Sequence, residues 1–161
     1  METINRIDQL MSLAAKEAED NLKTGDGGPF GAVIANDQGI LVKAHNQVLK
    51  NQDPTAHAEI TAIRKATQKL GSYDLSGYTL YTSCYPCPMC LGAIIWSNIK
   101  IVYYGNMAKD AAKIGFRDDY IYDFIKGDGH DKEVLDLKPS NRSQTIKAFD
   151  KFEKQQTKTM Y

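Results

Sequence analysis

Tyr78-Thr79-Leu80-Tyr81-Thr82-Ser83-Cys84-Tyr85-Pro86-Cys87-Pro88-Met89-Cys90-Leu91-Gly92-Ala93-Ile94-Ile95-Trp96-Ser97-Asn98-Ile99-Lys100-Ile101-Val102-Tyr103-Tyr104 holds a strand, a helix and a second strand in one run. Tyr78 to Ser83 alternates tyrosine and threonine around Leu80, residue types that fit a half-buried pleated surface. Pro86 then opens a short apolar helix from about Cys87 to Trp96, with Trp96 read as core. Ile99 to Tyr104 returns to β-branched and aromatic residues. Strands that alternate with helices favour a layered α/β sheet.

Upstream, Asp53 before Pro54 predicts a helix start, because Asp caps free amides and proline suits the first helical position. The Ala- and Lys-rich sequence then runs to Leu70, and Gly71 ends it. Asn46 to Gln52 reads as a polar loop. Phe30 to Ala35 and Ile40 to Ala44 are apolar runs separated by Asn36-Asp37-Gln38-Gly39, which predicts a hairpin. From Ile4, the residues Ile7, Leu10, Met11, Ala14, Ala15, Ala18 and Leu22 recur at helical steps, forming an amphipathic stripe that Gly25 to Pro29 stops. Downstream, Ala108 to Tyr122 reads as one or two short helices and Gly127-Asp128-Gly129 as a loop. A last helix from about Ser140 carries Ile146, Phe149 and Phe152. No repeat or linker divides the 161 residues, so a single domain, 1–161, is expected.

Lys and Arg together number 20, as do Asp and Glu, so the formal charge is zero and no net field draws the chain to nucleic acid or an anionic membrane. None of its apolar runs is long enough to cross a bilayer. Met1 to Asp20 lacks the apolar stretch of a signal peptide, which points to a cytoplasmic protein. The three cysteines, Cys84, Cys87 and Cys90, are an odd and clustered set, so a disulfide framework gives way to a metal site.

Two segments carry chemistry: Asp53-Pro54-Thr55-Ala56-His57-Ala58-Glu59 at the front of one predicted helix, and Ser83 to Cys90 at the front of the next. Cysteines three apart on a helix share a face, so Cys87 and Cys90 can grip one ion, and His57 can supply a third ligand. Mixed sulfur and nitrogen donors suit zinc. Three protein ligands leave the fourth tetrahedral position for water, whose pKa on zinc falls to roughly 7. Glu59 is the right residue type to manage the protons of a hydrolysis. Residues two apart do not normally face the same way on a helix, so its side chain is expected to reach round at the first turn.

His57-Ala58-Glu59 and Pro86-Cys87-Pro88-Met89-Cys90 match the H-x-E and P-C-x-x-C signature of zinc nucleobase deaminases. With Gly28-Pro29-Phe30-Gly31-Ala32-Val33, Asn46, Asp53 to Lys65, Cys87 to Ile94, Asp110-Ala111-Ala112 and Gly115-Phe116, the chain resembles the bacterial guanine deaminases of the cytidine-deaminase-like fold. The likeness thins after about Ile125. It implies a three-layer α/β/α sandwich with a mixed central sheet, and Zn2+ on His57, Cys87 and Cys90. It also implies hydrolytic deamination of guanine to xanthine and ammonia by a metal-bound hydroxide, with Glu59 as proton shuttle. By the same resemblance Asn46 bonds the purine, and Asp118 with Tyr161, the last residue, closes over the base; Phe30 is read as a wall of that substrate pocket. The resemblance further implies a homodimer in which the segment from about 140 to 161 is exchanged between the two subunits. One departure is plain: Tyr85 stands where these enzymes commonly have Glu, beside the ligands, a position that bears on substrate access or preference.

Apart from the resemblance, plainer readings stand. Cys84 as a fourth ligand would close a structural zinc site. Cys-x-x-Cys-x-x-Cys also begins an iron–sulfur motif, but the chain holds no fourth cysteine. His45 and His130 need no metal and receive no role. Asn46 reads equally as a turn residue, Phe30 as both wall and core, and Asp118 and Asp119 as the solvated face of a short helix. Lys147, Lys151 and Lys154 form a stripe broken by Asp150 and Glu153, a solvated face rather than a nucleic-acid surface. A tRNA adenosine deaminase shares both motifs, but a polyanionic substrate calls for clustered Lys and Arg, and zero charge with a terminal Tyr favours a small free base. The same motifs also suit a small-heterocycle aminohydrolase acting on cytosine or a nucleoside, and the ligand set alone suits a zinc-stabilised binding module without catalysis.

Overall fold

A computed structural model describes residues 5–161; the stripe's expected start at Ile4 lies outside them. Helix α1, Arg6–Thr24, begins where the Asn5 side chain accepts from the Ile7 amide, and ends at Gly25, whose φ of 70° is the left-handed turn of a helix stop. Its buried face is Leu10, Ala14, Ala18 and Asn21, and the expected Leu22 is 68% exposed. A step of three after two steps of four holds one face toward the sheet, because a turn takes 3.6 residues. Position 21, not 22, therefore continues the stripe, and it is polar.

Strands β1 (Gly31–Asn36) and β2 (Gly39–His45) form the expected hairpin around Asp37-Gln38. Side chains of β1 alternate between two layers. Val33 and Ala35 meet Leu10 and Ala14 of α1, while Ala32 and Ile34 meet Ala58, Ala62 and Ala66. Helix α2, Val48–Asn51, is a single turn within the expected polar loop. Helix α3 is Ala58–Leu70 and does not start at Asp53. The Asp53 carboxylate instead accepts from the Thr55 amide at 2.8 Å and the Thr55 hydroxyl at 2.6 Å, a local turn that delays the helix until His57 caps it. Gly71, φ 65°, ends it as expected.

The opening stretch folds as β3 (Thr79–Cys84), α4 (Pro88–Trp96) and β4 (Ile101–Asn106). The sheet order is β2-β1-β3-β4, with β1 antiparallel to β2 and β3, and β3 parallel to β4. α1 packs on one face, and α3 with Ile94 of α4 on the other, giving the expected α/β/α sandwich with a mixed sheet. Trp96 is not core: it is 67% exposed, and Ile94 takes the inward place on α4. These pairings bring the carboxyl ends of β2, β3 and β4 and the amino end of β1 to one edge, with Gly31 opposite His45 and Cys84 opposite Asn106.

The rest divides into α5 (Ala108–Lys113), α6 (Asp119–Lys126) and α7 (Arg142–Glu153). The chain forms two compact units, one running to Asp119 and the other Tyr120–Tyr161. Within the second, Gly129 turns against Phe124 and Leu137, and the Lys158 ammonium lies 5.5 Å from the centre of the Phe152 ring. No residue of α7 is buried, its lysines included. Among the described residues, no helix is long and apolar enough to cross a membrane.

Candidate active site

His57 and Cys87 are both helix N-caps with extended backbone, at φ −62°, ψ 161° and φ −67°, ψ 168°. His57 therefore stands outside α3. The two-residue spacing to Glu59 crosses a backbone corner and not a helical arc, so both side chains face one point. Cys90, in the first turn of α4, joins Cys87 there. His57 Nδ1 lies 3.6 Å from the Sγ of each cysteine, and the three donors lie within 4.8 Å of one another. Tetrahedral zinc with ordinary Zn–S and Zn–N bonds needs an N···S separation of about 3.5 Å. The residues fit zinc.

The electrostatics of the two thiols agree. Cys87 is pulled down to about 4, first by a hydrogen bond from Cys90 and then by His57. Cys90 is pushed up, chiefly by that same shared bond and by burial. The opposite directions arise from one thiol donating to the other, and a cation held there would favour both as thiolates. Cys84 does not join them. Its Sγ points at the Met107 carbonyl, 3.7 Å away, burial pushes its thiol up to about 11, and the donor group among the described residues is His57, Cys87 and Cys90. The arrangement is a three-ligand site, not a closed four-ligand one.

Glu59 is 6% exposed. Its Oε1 accepts from the Thr82 hydroxyl at 2.9 Å, and its Oε2 lies 3.5 Å from Cys90 Sγ. Burial raises its pKa, which suits a group that must both take and return a proton. Thr82 is a site residue that sequence reading misses. Its parity with Leu80 puts it on the α3 face of β3, but nothing in a Tyr-Thr alternation separates a threonine that orients a carboxylate from one that fits a strand.

The other expected residues divide. Asn46 is 5% exposed; its amide donates to the Phe30 carbonyl at 3.0 Å and its Oδ1 accepts from the Val48 amide at 3.1 Å, so it does cap a turn. Phe30 packs on the core and meets Phe116 edge-on, centroids 5.0 Å apart. Asp118 is partly buried and its carboxyl is pushed up, first by burial and then by the Cys87 charge, against the pull of its own backbone bonding. Asp119 instead pairs with Arg117 at 2.9 Å in solvent, so the solvated-face reading holds for one of the two. Tyr85 meets Tyr104 edge-on at 4.9 Å. His45 is no ligand: its ring bridges Glu17 at 3.2 Å and Asp26 at 2.8 Å. His130 is exposed, and Tyr161, 80% exposed, belongs to the second unit.

A histidine, two cysteines and a buried carboxylate at one sheet edge define a zinc-binding deaminase. Residues 4–106 match the family described as the cytidine and deoxycytidylate deaminase zinc-binding region, and the chain belongs to that family. Among its relatives is guanine deaminase of Bacillus subtilis (strain 168), 50% identical over 115 residues, 71% of this chain and 74% of that protein. The crystal structure of guanine deaminase from Bacillus subtilis superposes with a TM-score of 0.90 at 41% identity, covering 98% of this chain and 99% of that one. The tRNA-specific adenosine deaminase of Buchnera aphidicola subsp. Schizaphis graminum is 39% identical over 112 residues, 70% of this chain and 74% of that protein.

Proposed function

We propose that this protein hydrolyses guanine to xanthine and ammonia, within purine catabolism in the cytoplasm. The observation that carries the chemistry is the buried Glu59 carboxylate, held by Thr82 and 3.5 Å from Cys90 Sγ beside the ligand set. The substrate is carried by the likeness to guanine deaminase along both chains. Zinc held by His57, Cys87 and Cys90 supplies a Lewis acid and a hydrolytic nucleophile at neutral pH. Glu59 takes a proton from the attacking water and delivers it to the unprotonated ring nitrogen beside the amino-bearing carbon; it then takes the proton of the newly added hydroxyl and passes it to the amine, which leaves as ammonia as the C–N bond breaks and the carbonyl of xanthine forms. Thr82 keeps the carboxylate aimed throughout. Asn46 bonds the base, Phe30 forms its wall, and Asp118 offers a second carboxyl toward the leaving amine. Three cysteines with no disulfide among them fit the reducing conditions of the cytoplasm.

In this reading residues 1–161 are one deaminase domain that works as a homodimer, its segment from about 140 to 161 exchanged so that Tyr161 closes over the partner's base. Exposed Ile95 and Trp96 on α4 and exposed Ile101 on β4, one of the two edge strands of the sheet, support a second copy. So do Phe149 and Tyr161, both exposed in the second unit.

Ammonia release by the zinc-loaded protein, given guanine, cytosine, adenine, their nucleosides and a tRNA anticodon stem-loop in parallel, tests the substrate. Guanine alone should be turned over. Glu59→Gln should keep its zinc and lose about 10²–10⁴-fold in kcat. Turnover of the RNA alone would replace the proposal with tRNA editing, and retained activity in Glu59→Gln would remove the proton shuttle.

A further inference from the structure

Asn21 is a buried polar residue to which the mechanism assigns nothing. It is 1% exposed, on the inward face of α1. Its Nδ2 donates to the Gly28 carbonyl at 2.8 Å and to the Asn46 carbonyl at 2.9 Å, and its Oδ1 accepts from the Thr24 hydroxyl. Both N–H donors of the amide are used. They join the loop between α1 and β1 to the residue that follows β2.

Asn46 is held at every other polar atom as well. Its amide donates to Phe30, its carbonyl accepts from Asn21, and its Oδ1 accepts from Val48. A backbone N–H can only donate, so the side-chain atom facing Val48 is oxygen, and Nδ2 is the atom left to meet a ligand. The loop presses on the same side chain: a Cβ on Gly27 would lie 2.0 Å from Asn46 Oδ1. Asp26, next to it, accepts through its carbonyl from the Leu49 and Lys50 amides at 3.0 and 2.9 Å, fixing the loop to α2. The glycine loop and Asn46 are tied into one hydrogen-bonded unit, and Asn21 is its anchor to α1.

We infer that Asn21 is a positioning residue for substrate recognition: it sets the Asn46 backbone and the Gly27-Gly28 loop so that Asn46 presents an N–H donor to a hydrogen-bond acceptor of the purine. The inference rests on the guanine reading. Asn21 acts through Asn46 and does not touch the base. A misplacement of about 1 Å costs up to 10²-fold in an oriented reaction, and that is the scale expected here.

The test is a double-mutant cycle in the zinc-loaded full chain: Asn21→Leu, which keeps the branched shape and removes the donors, Asn46→Ala, and the two combined. Zinc content, kcat and KM for guanine are measured for each, with 8-azaguanine binding to the corresponding Glu59→Gln proteins as a readout free of turnover. Asn21→Leu should retain its zinc, lower kcat/KM about 10- to 100-fold through KM, and weaken 8-azaguanine in proportion. In the Asn46→Ala background it should have no further effect on either, because both changes remove one interaction. A merely structural role would lower the melting temperature in both backgrounds while leaving KM alone. If Asn21→Leu does not fold, Asn21→Ser carries the same cycle. Effects on KM that multiply in the double variant, or a wild-type KM in either Asn21 variant, overturn the inference. A wild-type protein without guanine turnover overturns the substrate reading, and this inference with it.

Discussion

Gly27→Ala adds one carbon at the tightest approach in the glycine loop. The new Cβ would lie 2.0 Å from Asn46 Oδ1 and 2.9 Å from both Asn46 Cγ and its carbonyl oxygen. A Cβ essentially never lies within 3.0 Å of a non-bonded heavy atom, so something must move by about 1 Å. Gly27 is not among the positive-φ residues, so alanine fits the backbone and the effect is purely steric. If the Asn46 side chain yields, it gives up the bond from Val48, a net loss of about 0.5–1.5 kcal/mol. If the loop yields, it moves against Asn21 and α2. Either way the Asn46 donor shifts by about 1 Å, which corresponds to roughly 10²-fold in kcat/KM, or about 2.7 kcal/mol. Folding changes less, because overpacking costs about 1–3 kcal/mol and alanine returns about 0.4–1 by restricting the unfolded chain. Ammonia-release kinetics, zinc analysis and thermal unfolding of the purified variant give the three numbers. Wild-type kcat/KM would refute the geometry of the Asn46 donor, and loss of zinc would show that the clash spreads to the metal centre and not to the base pocket.

Thr82→Val keeps the shape of β3 and removes the donor to Glu59. A hydrogen bond to a charged group is worth about 1.5–3 kcal/mol, so kcat should fall about 10- to 100-fold at unchanged zinc, and an unchanged kcat would end the orienting role. Cys84→Ser should retain one zinc per chain by metal analysis, since Cys84 faces Met107; loss of the metal would restore the four-ligand reading. Gly31→Ala would place a Cβ 2.2 Å from the Ala14 carbonyl oxygen and 2.7 Å from the Ala18 nitrogen, backbone atoms that cannot swing aside. Calorimetry should show destabilisation of about 3 kcal/mol or more, and a loss below about 1 kcal/mol would mean that α1 is not seated as described. The His45 ring holds the Asp26 carboxyl below its ordinary 3.8. A depressed folded-state value stabilises above that pH and is lost as pH falls through it, so His45→Gln should flatten the acid end of the stability-versus-pH curve. An unaltered curve would remove the His45–Asp26 link.

Much of this fold is legible in the sequence because its signals are local. The hairpin turn at Asp37-Gln38, the stop at Gly71 and the strand–helix–strand run need no tertiary information. The departures have physical causes. Asp53-Pro54 carries the chemistry of a helix start, yet the Asp53 carboxylate is taken by Thr55 and by Arg64 at 3.1 Å, which leaves the capping place to His57. Hydrophobicity places Trp96 inside, but α4 is apolar all round, and only contact with the core separates Ile94 from its neighbours. Leu22 displaces Asn21 from the expected stripe for the same reason. A stripe counted by apolar residues cannot include an asparagine whose buried amide is satisfied by carbonyls distant in sequence. At the site, the ligands and Glu59 are readable because their spacing is itself the chemistry. Thr82 and Asn21 are not, because each acts across the fold on a residue from another element.

The position of the site follows from chain direction. β2, β3 and β4 run the same way and β1 runs against them, so the residues leaving the first three and entering the fourth meet at one edge. Asn46 leaves β2, the Tyr85-Pro86-Cys87 segment leaves β3, the segment to Asp118 leaves β4, and Phe30 enters β1. An open α/β sheet collects its ligand-binding groups at the carboxyl ends of its strands. Here the helices that follow also begin there, and their first residues are the ligands. An N-cap is extended, so it can turn a side chain toward the sheet edge while the next turn presents another beside it, which is how His57 and Glu59 share one point. Unsatisfied amides at a helix start favour the thiolates of Cys87 and Cys90 as well. Moving either ligand one residue into its helix would turn it about 100° away and cost both advantages. The spacing of His57 to Glu59 and of Cys87 to Cys90 is thus set by helix geometry as much as by the metal.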